Sequence, residues 1–153
     1  MWPASPAFAD DSSVYQAWSG HDAELCRLFD RMDTRTRAWS RSHSRKNARR
    51  LRTTIASIRR TLKQVILDVG AESPSSDSGA RGKTYAQRSN RQADSSMSEL
   101  AKAVRAALRH DPDGAAAHGK AAKRRIRRAF RSQDVALEAF EKAGVPTSED
   151  CPL

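Results

Sequence analysis

Arginine and lysine side chains dominate the residues of this sequence that could do chemistry. Eleven basic residues and no acidic one lie between Thr34 and Lys63, and a second basic block, KAAKRRIRRAFR, occupies residues 120–131. Arginine binds phosphate or carboxylate through two parallel hydrogen bonds, and 21 of the 28 basic residues are arginine. These residue types therefore indicate the binding of an anionic partner.

The spacing of the basic residues places them along helix faces. Steps of three and four residues connect Arg45 to Lys63, and at a rise of 1.5 Å per residue this stripe is about 27 Å long. We predict that both blocks contact phosphates, and that Trp39 could stack on an unpaired base, although its sevenfold spacing from Trp18 favours a core role. The predicted nucleic-acid-binding residues are Arg45, Lys46, Arg49, Arg52, Arg59, Arg60, Lys63, Lys123, Arg124, Arg127, Arg128 and Arg131.

A solvated helix face neutralised within the chain is the alternative interpretation of the first block. Like charges three or four residues apart oppose a helix by a few tenths of a kcal/mol each, so the stripe costs about 1 kcal/mol if nothing negative is near. The first 33 residues carry a net charge of −4, and their acids could supply that charge. The candidates are Asp22, Glu24, Asp30 and Asp33.

Catalytic and metal-binding patterns do not compete with the basic blocks. The four histidines follow neither HExxH nor HxxxH spacing, and GARGK lacks the spacing of a phosphate-binding loop. We therefore expect no enzymatic activity, no metal and no cofactor. Cys26 and Cys151 show no spacing typical of a disulfide framework, which together with the missing signal peptide favours an intracellular protein, cytoplasmic or nuclear and not secreted. A membrane partner is not expected, because no apolar run approaches the length of a membrane span.

The apolar residues predict the elements that position these charges. Their spacing is helical almost throughout, which predicts an all-α bundle of three to five helices with coiled-coil-like seams over residues 13–143. Flexible termini are expected at 1–12 and 144–153, with a polar loop near 70–84. The HDPDG segment at 110–114 marks a break between two later helices, predicted within 84–110 and over about 115–143, and Ser132 could restart the last one. The seam residues that define the predicted helices are Trp18, Leu25, Met32 and Trp39; Leu51, Ile55, Ile58, Leu62, Val65 and Val69; Met97, Leu100, Val104 and Leu108; and Ala122, Ile126, Ala129 and Phe140.

These observations lead to one functional prediction and one alternative. We predict a basic helical protein that binds RNA or DNA mainly through the phosphate backbone, as a component of a larger assembly. The alternative is a structural or adaptor subunit whose seams pack against other proteins, or against a second copy of the chain, and whose basic faces meet acidic protein surfaces.

Overall fold

A computed structural model describes residues 10–148, and this part of the chain is an all-α bundle, as predicted. Residues 1–9 and 149–153 lie outside the described part, and so do most of the flexible N-terminus and half of the flexible tail expected from the sequence. The five helices are α1 (Asp11–Ser19), α2 (Asp22–Ser42), α3 (Arg45–Ala71), α4 (Asp77–Leu108) and α5 (Pro112–Lys142).

Helix α4 lies between α3 and α5. Ser89 and Ser96 donate hydrogen bonds to backbone carbonyls of α5, whereas Gln87 donates to a carbonyl of α3 and Asp94 accepts from Arg59 of α3. Successive residues are about 100° apart around a helix, so these two pairs project from opposite sides of α4. Helix α2 packs on α3, and the short α1 packs on α3 and α4.

The predicted seam of α3 forms the centre of the core. Its members from Leu51 to Val69 are at most 1% exposed, and they pack with Met97 and Val104 of α4 and Phe140 of α5. Apolar side chains removed from water in this way supply the main stabilisation of a small helical domain. These seam residues are therefore buried inside the chain and are not exposed to a partner helix.

The first predicted helix is two helices. Gly20 ends α1, and α2 begins two residues later, although the sevenfold pattern continues across the break. Trp18 and Leu25 remain on the buried side because the short turn preserves their direction toward the core. Gly20 has the poorest helix propensity of any residue but proline, which explains why the interruption falls there.

The polar loop predicted near 70–84 is shorter than expected, because α4 already begins at Asp77. Ser76 caps this helix by accepting a hydrogen bond from the backbone N–H of Gly79, and Asp77 stands in its first turn, where the helix dipole favours an acid. The connection to α3 is reduced to residues 72–76. Polar and glycine-rich composition indicated a flexible segment, whereas the structure uses these residues as a cap and a close contact.

Three further differences concern the C-terminal half and the cysteines. Helix α5 is continuous through Ser132, whose hydroxyl is buried and donates to Gln92 of α4 instead of restarting the helix. Residues 144–148, expected to belong to the tail, pack on the bundle through Val145, which is 6% exposed.

Cys26 on α2 is disulfide-bonded, which its spacing did not predict; the other cysteine of the sequence lies outside the described residues.

Candidate nucleic-acid interface

An arginine-lined groove of about 850 Å³ runs between α4 and α5, and we call it the α4–α5 groove. The two helices approach closely at small side chains, where the Ser89 hydroxyl donates to the Ala129 carbonyl at 2.9 Å and the Ser96 hydroxyl to the Ala122 carbonyl at 2.8 Å. The two sides of the groove, formed by α4 and α5, are consequently close together. Its five arginines are Arg88 and Arg91 of α4 and Arg124, Arg125 and Arg128 of α5.

One arginine of this groove is neutralised by a carboxylate of the same chain. Arg125 lies 3.7 Å from Glu99, which also binds Lys102 at 2.9 Å and His118 at 2.7 Å. The hydrogen bond from Lys102, followed by that from His118, lowers the pKa of Glu99, so this carboxyl group is ionised at neutral pH. Within residues 10–148, the other four arginines of the α4–α5 groove have no ion-pair partner.

Tyr85 is the aromatic side chain that lines the α4–α5 groove. The guanidinium carbon of Arg81 lies 5.4 Å from the centre of its ring, and that of Arg88 lies 5.5 Å away. Such cation–π contacts orient the guanidinium groups and occupy the ring. Tyr85 therefore positions basic groups at the mouth of this groove.

A second groove, of about 400 Å³, runs between α3 and α4, and we call it the α3–α4 groove. Its floor is formed by small and apolar side chains, including Ala56 and Ala101. Its basic residues are Arg49, Arg52 and Arg59 of α3 and Arg105 of α4.

Arg59 is the member of the α3–α4 groove that has an acidic partner in the described part of the chain. Its guanidinium donates to Asp94 of α4 at 2.7 and 3.3 Å, and this hydrogen bond raises the pKa of Arg59. Of the acids considered as internal neutralising groups, Glu24 accepts a hydrogen bond from Thr61, and Asp33 pairs with Arg37, which precedes the stripe. Within residues 10–148, Arg59 is the member of the stripe that has an ion-pair partner.

The structure places the predicted basic residues in three settings. Five line the grooves, namely Arg49, Arg52 and Arg59 in the α3–α4 groove and Arg124 and Arg128 in the α4–α5 groove. Arg45 borders a smaller cavity of about 270 Å³ beside Trp39 and His43. The remaining six are exposed on α3 and α5 and line neither of the two grooves, namely Lys46, Arg60, Lys63, Lys123, Arg127 and Arg131.

Trp39, predicted as a base-stacking candidate, belongs to the buried core. It is 9% exposed, and its ring meets His43 edge-on with the ring centres 5.1 Å apart. This position agrees with the core role that its sevenfold spacing indicates, and base stacking by Trp39 stays a prediction.

Four groove arginines were missed from the sequence, namely Arg88, Arg91 and Arg105 of α4 and Arg125 of α5. A signal for the first two existed, because residues 81–93 carry four basic residues and no acid. Their use depends on which sides of α4 face α3 and α5, and only the packing of the bundle reveals those sides.

No family model, curated protein or solved structure matches this chain. Across residues 10–148, no group of three or more histidine, cysteine, aspartate or glutamate side chains is placed to hold a metal ion. No helix in the same range is both long and apolar enough to cross a membrane. The candidate interface therefore stands on the geometry and charge of its own residues.

Proposed function

We propose that this protein binds nucleic acid by holding backbone phosphates in the α4–α5 and α3–α4 grooves. The observation that carries the proposal is that nine arginines line the two grooves and that two of them, Arg59 and Arg125, have carboxylate partners within the described residues. The other seven present guanidinium groups to solvent from rigid helices. Guanidinium binds phosphate through charge-assisted hydrogen bonds, and displacement of condensed counterions from the nucleic acid drives the association.

An acidic protein surface is the competing ligand, and the composition of the grooves argues against it. The centre of a stable protein interface is depleted of charged residues other than arginine and is enriched in aromatic side chains and methionine. Here the described residues expose one large apolar side chain, Leu67, which lines neither groove. The seams that could have recruited a partner helix are buried in the core or lie partly buried against it.

Salt dependence tests the proposal, because each phosphate contact on a duplex contributes about −0.9 to the slope of log K against log salt. With about five contacts, affinity for a duplex of about 20 base pairs falls roughly 500-fold between 50 and 200 mM salt. Fluorescence anisotropy with a labelled oligonucleotide measures this change. Absence of binding at the lower salt concentration, or binding that does not change with salt, rejects the proposal.

Matched double variants locate the contact. Replacement of Arg124 and Arg128 by glutamine should reduce the slope for a duplex by about 1.8, since two phosphate contacts are lost. Replacement of Arg27 and Arg31 by glutamine removes the same charge from the exposed side of α2, which packs on α3 and lines neither groove. The slope of this control should remain close to that of the unsubstituted protein. Equal losses in both variants would indicate attraction by net charge alone.

A further inference from the structure

The two arginine grooves open on the same side of α4. Arg88 borders the α4–α5 groove and Arg105 the α3–α4 groove, and the 17 residues between them place their side chains about 100° apart around the helix axis. Lys102 projects between them and is exposed. Ala86 and Val104 project to the opposite side, where they are buried in the core. A ligand lying across this exposed face of α4 can therefore reach both grooves at once.

The grooves are separated along α4 by a distance that suits two phosphate strands. The α4–α5 groove centres near residue 90 and the α3–α4 groove near residue 103, which at 1.5 Å per residue is about 20 Å. The two grooves of a B-form duplex are about 6 and 12 Å wide between the phosphate strands that border them. Long arginine side chains that reach inward from both protein grooves span the difference between the larger width and the separation of about 20 Å. Between the grooves α4 carries the half-buried Ser98 and the exposed Lys102, and the nearby acids Asp94 and Glu99 are both ion-paired.

Neither groove offers the stacking surface that a single strand requires. Proteins that bind unpaired strands combine a basic track with aromatic rings, each worth about 1–3 kcal/mol per stacked base. Tyr85 is already covered by Arg81 and Arg88, and no aromatic side chain of the described residues lines the α3–α4 groove. Unpaired bases at this surface would face alanine, serine and threonine side chains.

We infer that the ligand is a nucleic-acid duplex, which lies across the exposed face of α4 and places one phosphate strand against each groove; this inference rests on the proposed function. The chemistry recognised is a pair of phosphate strands, which DNA and RNA duplexes both provide, with groove widths that differ between the two forms. Each phosphate contact releases about 0.9 counterion from a duplex and about 0.7 from a single strand. For five contacts and equal affinity at 1 M salt, this difference favours the duplex by about twentyfold at 50 mM salt.

The experiment compares duplex and single strand on the full chain. Anisotropy titrations use a DNA duplex and an RNA duplex of about 20 base pairs, and unstructured single strands of the same length and label. We expect at least one duplex to bind about tenfold or more tightly than its single strand. If the DNA and the RNA single strand each bind as tightly as the corresponding duplex, the inference is overturned and the proposed function still stands. Failure of every probe to bind removes the proposed function itself.

Two groove variants test whether both strands are held. One carries Arg124→Gln and Arg128→Gln in the α4–α5 groove, and the other carries Arg49→Gln and Arg52→Gln in the α3–α4 groove. All four side chains are exposed, and circular dichroism verifies that both variants remain helical. We expect each variant to lose about tenfold or more in duplex affinity, and the combined variant to lose about the product. Undiminished duplex binding by either variant overturns the two-strand geometry.

Discussion

Asp11 ties the start of α1 to the connection between α3 and α4. Its carboxylate accepts hydrogen bonds from the backbone N–H groups of Ser75 and Ser76 at 2.8 and 3.3 Å, and from the Ser76 hydroxyl at 2.6 Å. Gly79 lies so close that a β-carbon there would stand 1.9 Å from the carboxylate. Burial alone would raise the pKa of Asp11, but the hydrogen bonds from Ser76 and Ser75 outweigh it and lower the pKa below its ordinary value of 3.8.

Replacement of Asp11 by alanine should lower the free energy of unfolding by about 1–3 kcal/mol at neutral pH, because it leaves donors of Ser75 and Ser76 without their acceptor. Since the folded-state pKa lies below the unfolded one, the contribution of Asp11 is complete above the unfolded pKa of about 4 and is lost as the pH falls further, through the lower folded-state pKa. The unfolding free energy of the variant should therefore depend less steeply on pH below about pH 4.

Urea denaturation at a series of pH values measures both effects. Asp134→Ala is the matched control, because Asp134 is exposed and forms no hydrogen bond or ion pair among the described residues. A loss of stability no larger in Asp11→Ala than in this control contradicts the role assigned to Asp11.

At the level of single residues, the sequence identifies the type of chemistry and leaves the partners open. Arg59 and Arg52 stand on the same predicted stripe, yet Arg59 binds Asp94, 35 positions along the chain, and Arg52 has no acidic partner in the described part. Helical spacing cannot reveal such a pair because it depends on the packing of α3 against α4. Trp39 illustrates the same limit, since its type permits stacking and its burial depends on the fold.

Helix α4 shows how composition can mislead about an element. Glycines in SDSGARGK suggested a loop, but Gly82 lies within the helix where the chain meets the ring of Phe140, and a β-carbon would stand 2.8 Å from that ring. By contrast, Gly119 of α5 has no atom within 4 Å of the position that a β-carbon would occupy. One glycine permits close packing, and the other only weakens its helix.

Replacement of the two glycines by alanine should therefore change the free energy of unfolding in opposite directions. Gly119→Ala should raise the free energy of unfolding by about 0.5–1 kcal/mol, the gain in helix propensity. Gly82→Ala should lower it, because overpacking against a buried ring costs about 1–3 kcal/mol and exceeds the same gain. Thermal and urea denaturation of both variants provide the measurement. A stabilised Gly82→Ala protein would show that α4 and α5 are packed less closely here.

The existence of the helices and their apolar faces could be predicted because both follow from local periodicity. The α3 seam is buried, as its alternating spacings of three and four residues indicated, and α3 ends one residue beyond Gly70. The early start of α4 could not be predicted, because the close contacts of Gly79 with Asp11 and of Gly82 with Phe140 depend on the tertiary packing. The grooves are likewise a property of pairs of helices.

At the scale of the whole molecule, charges distant in sequence meet on one side. The basic block of α3 and that of α5 are separated by about 60 positions, and α4 joins them with Arg88, Arg91 and Arg105 of its own. A face of this kind is opposed by self-repulsion in the free protein, and a polyanion relieves that repulsion on binding.

Nuclear magnetic resonance of the arginine Nε–H groups tests most directly that these side chains hold phosphate. On titration with a DNA or RNA duplex, we expect the signals of the groove arginines, among them Arg52, Arg88 and Arg124, to shift, while those of Arg27 and Arg31 on α2 remain unchanged. Unchanged groove signals at saturating duplex, or equal shifts across every arginine of the protein, would show that the grooves do not bind phosphate.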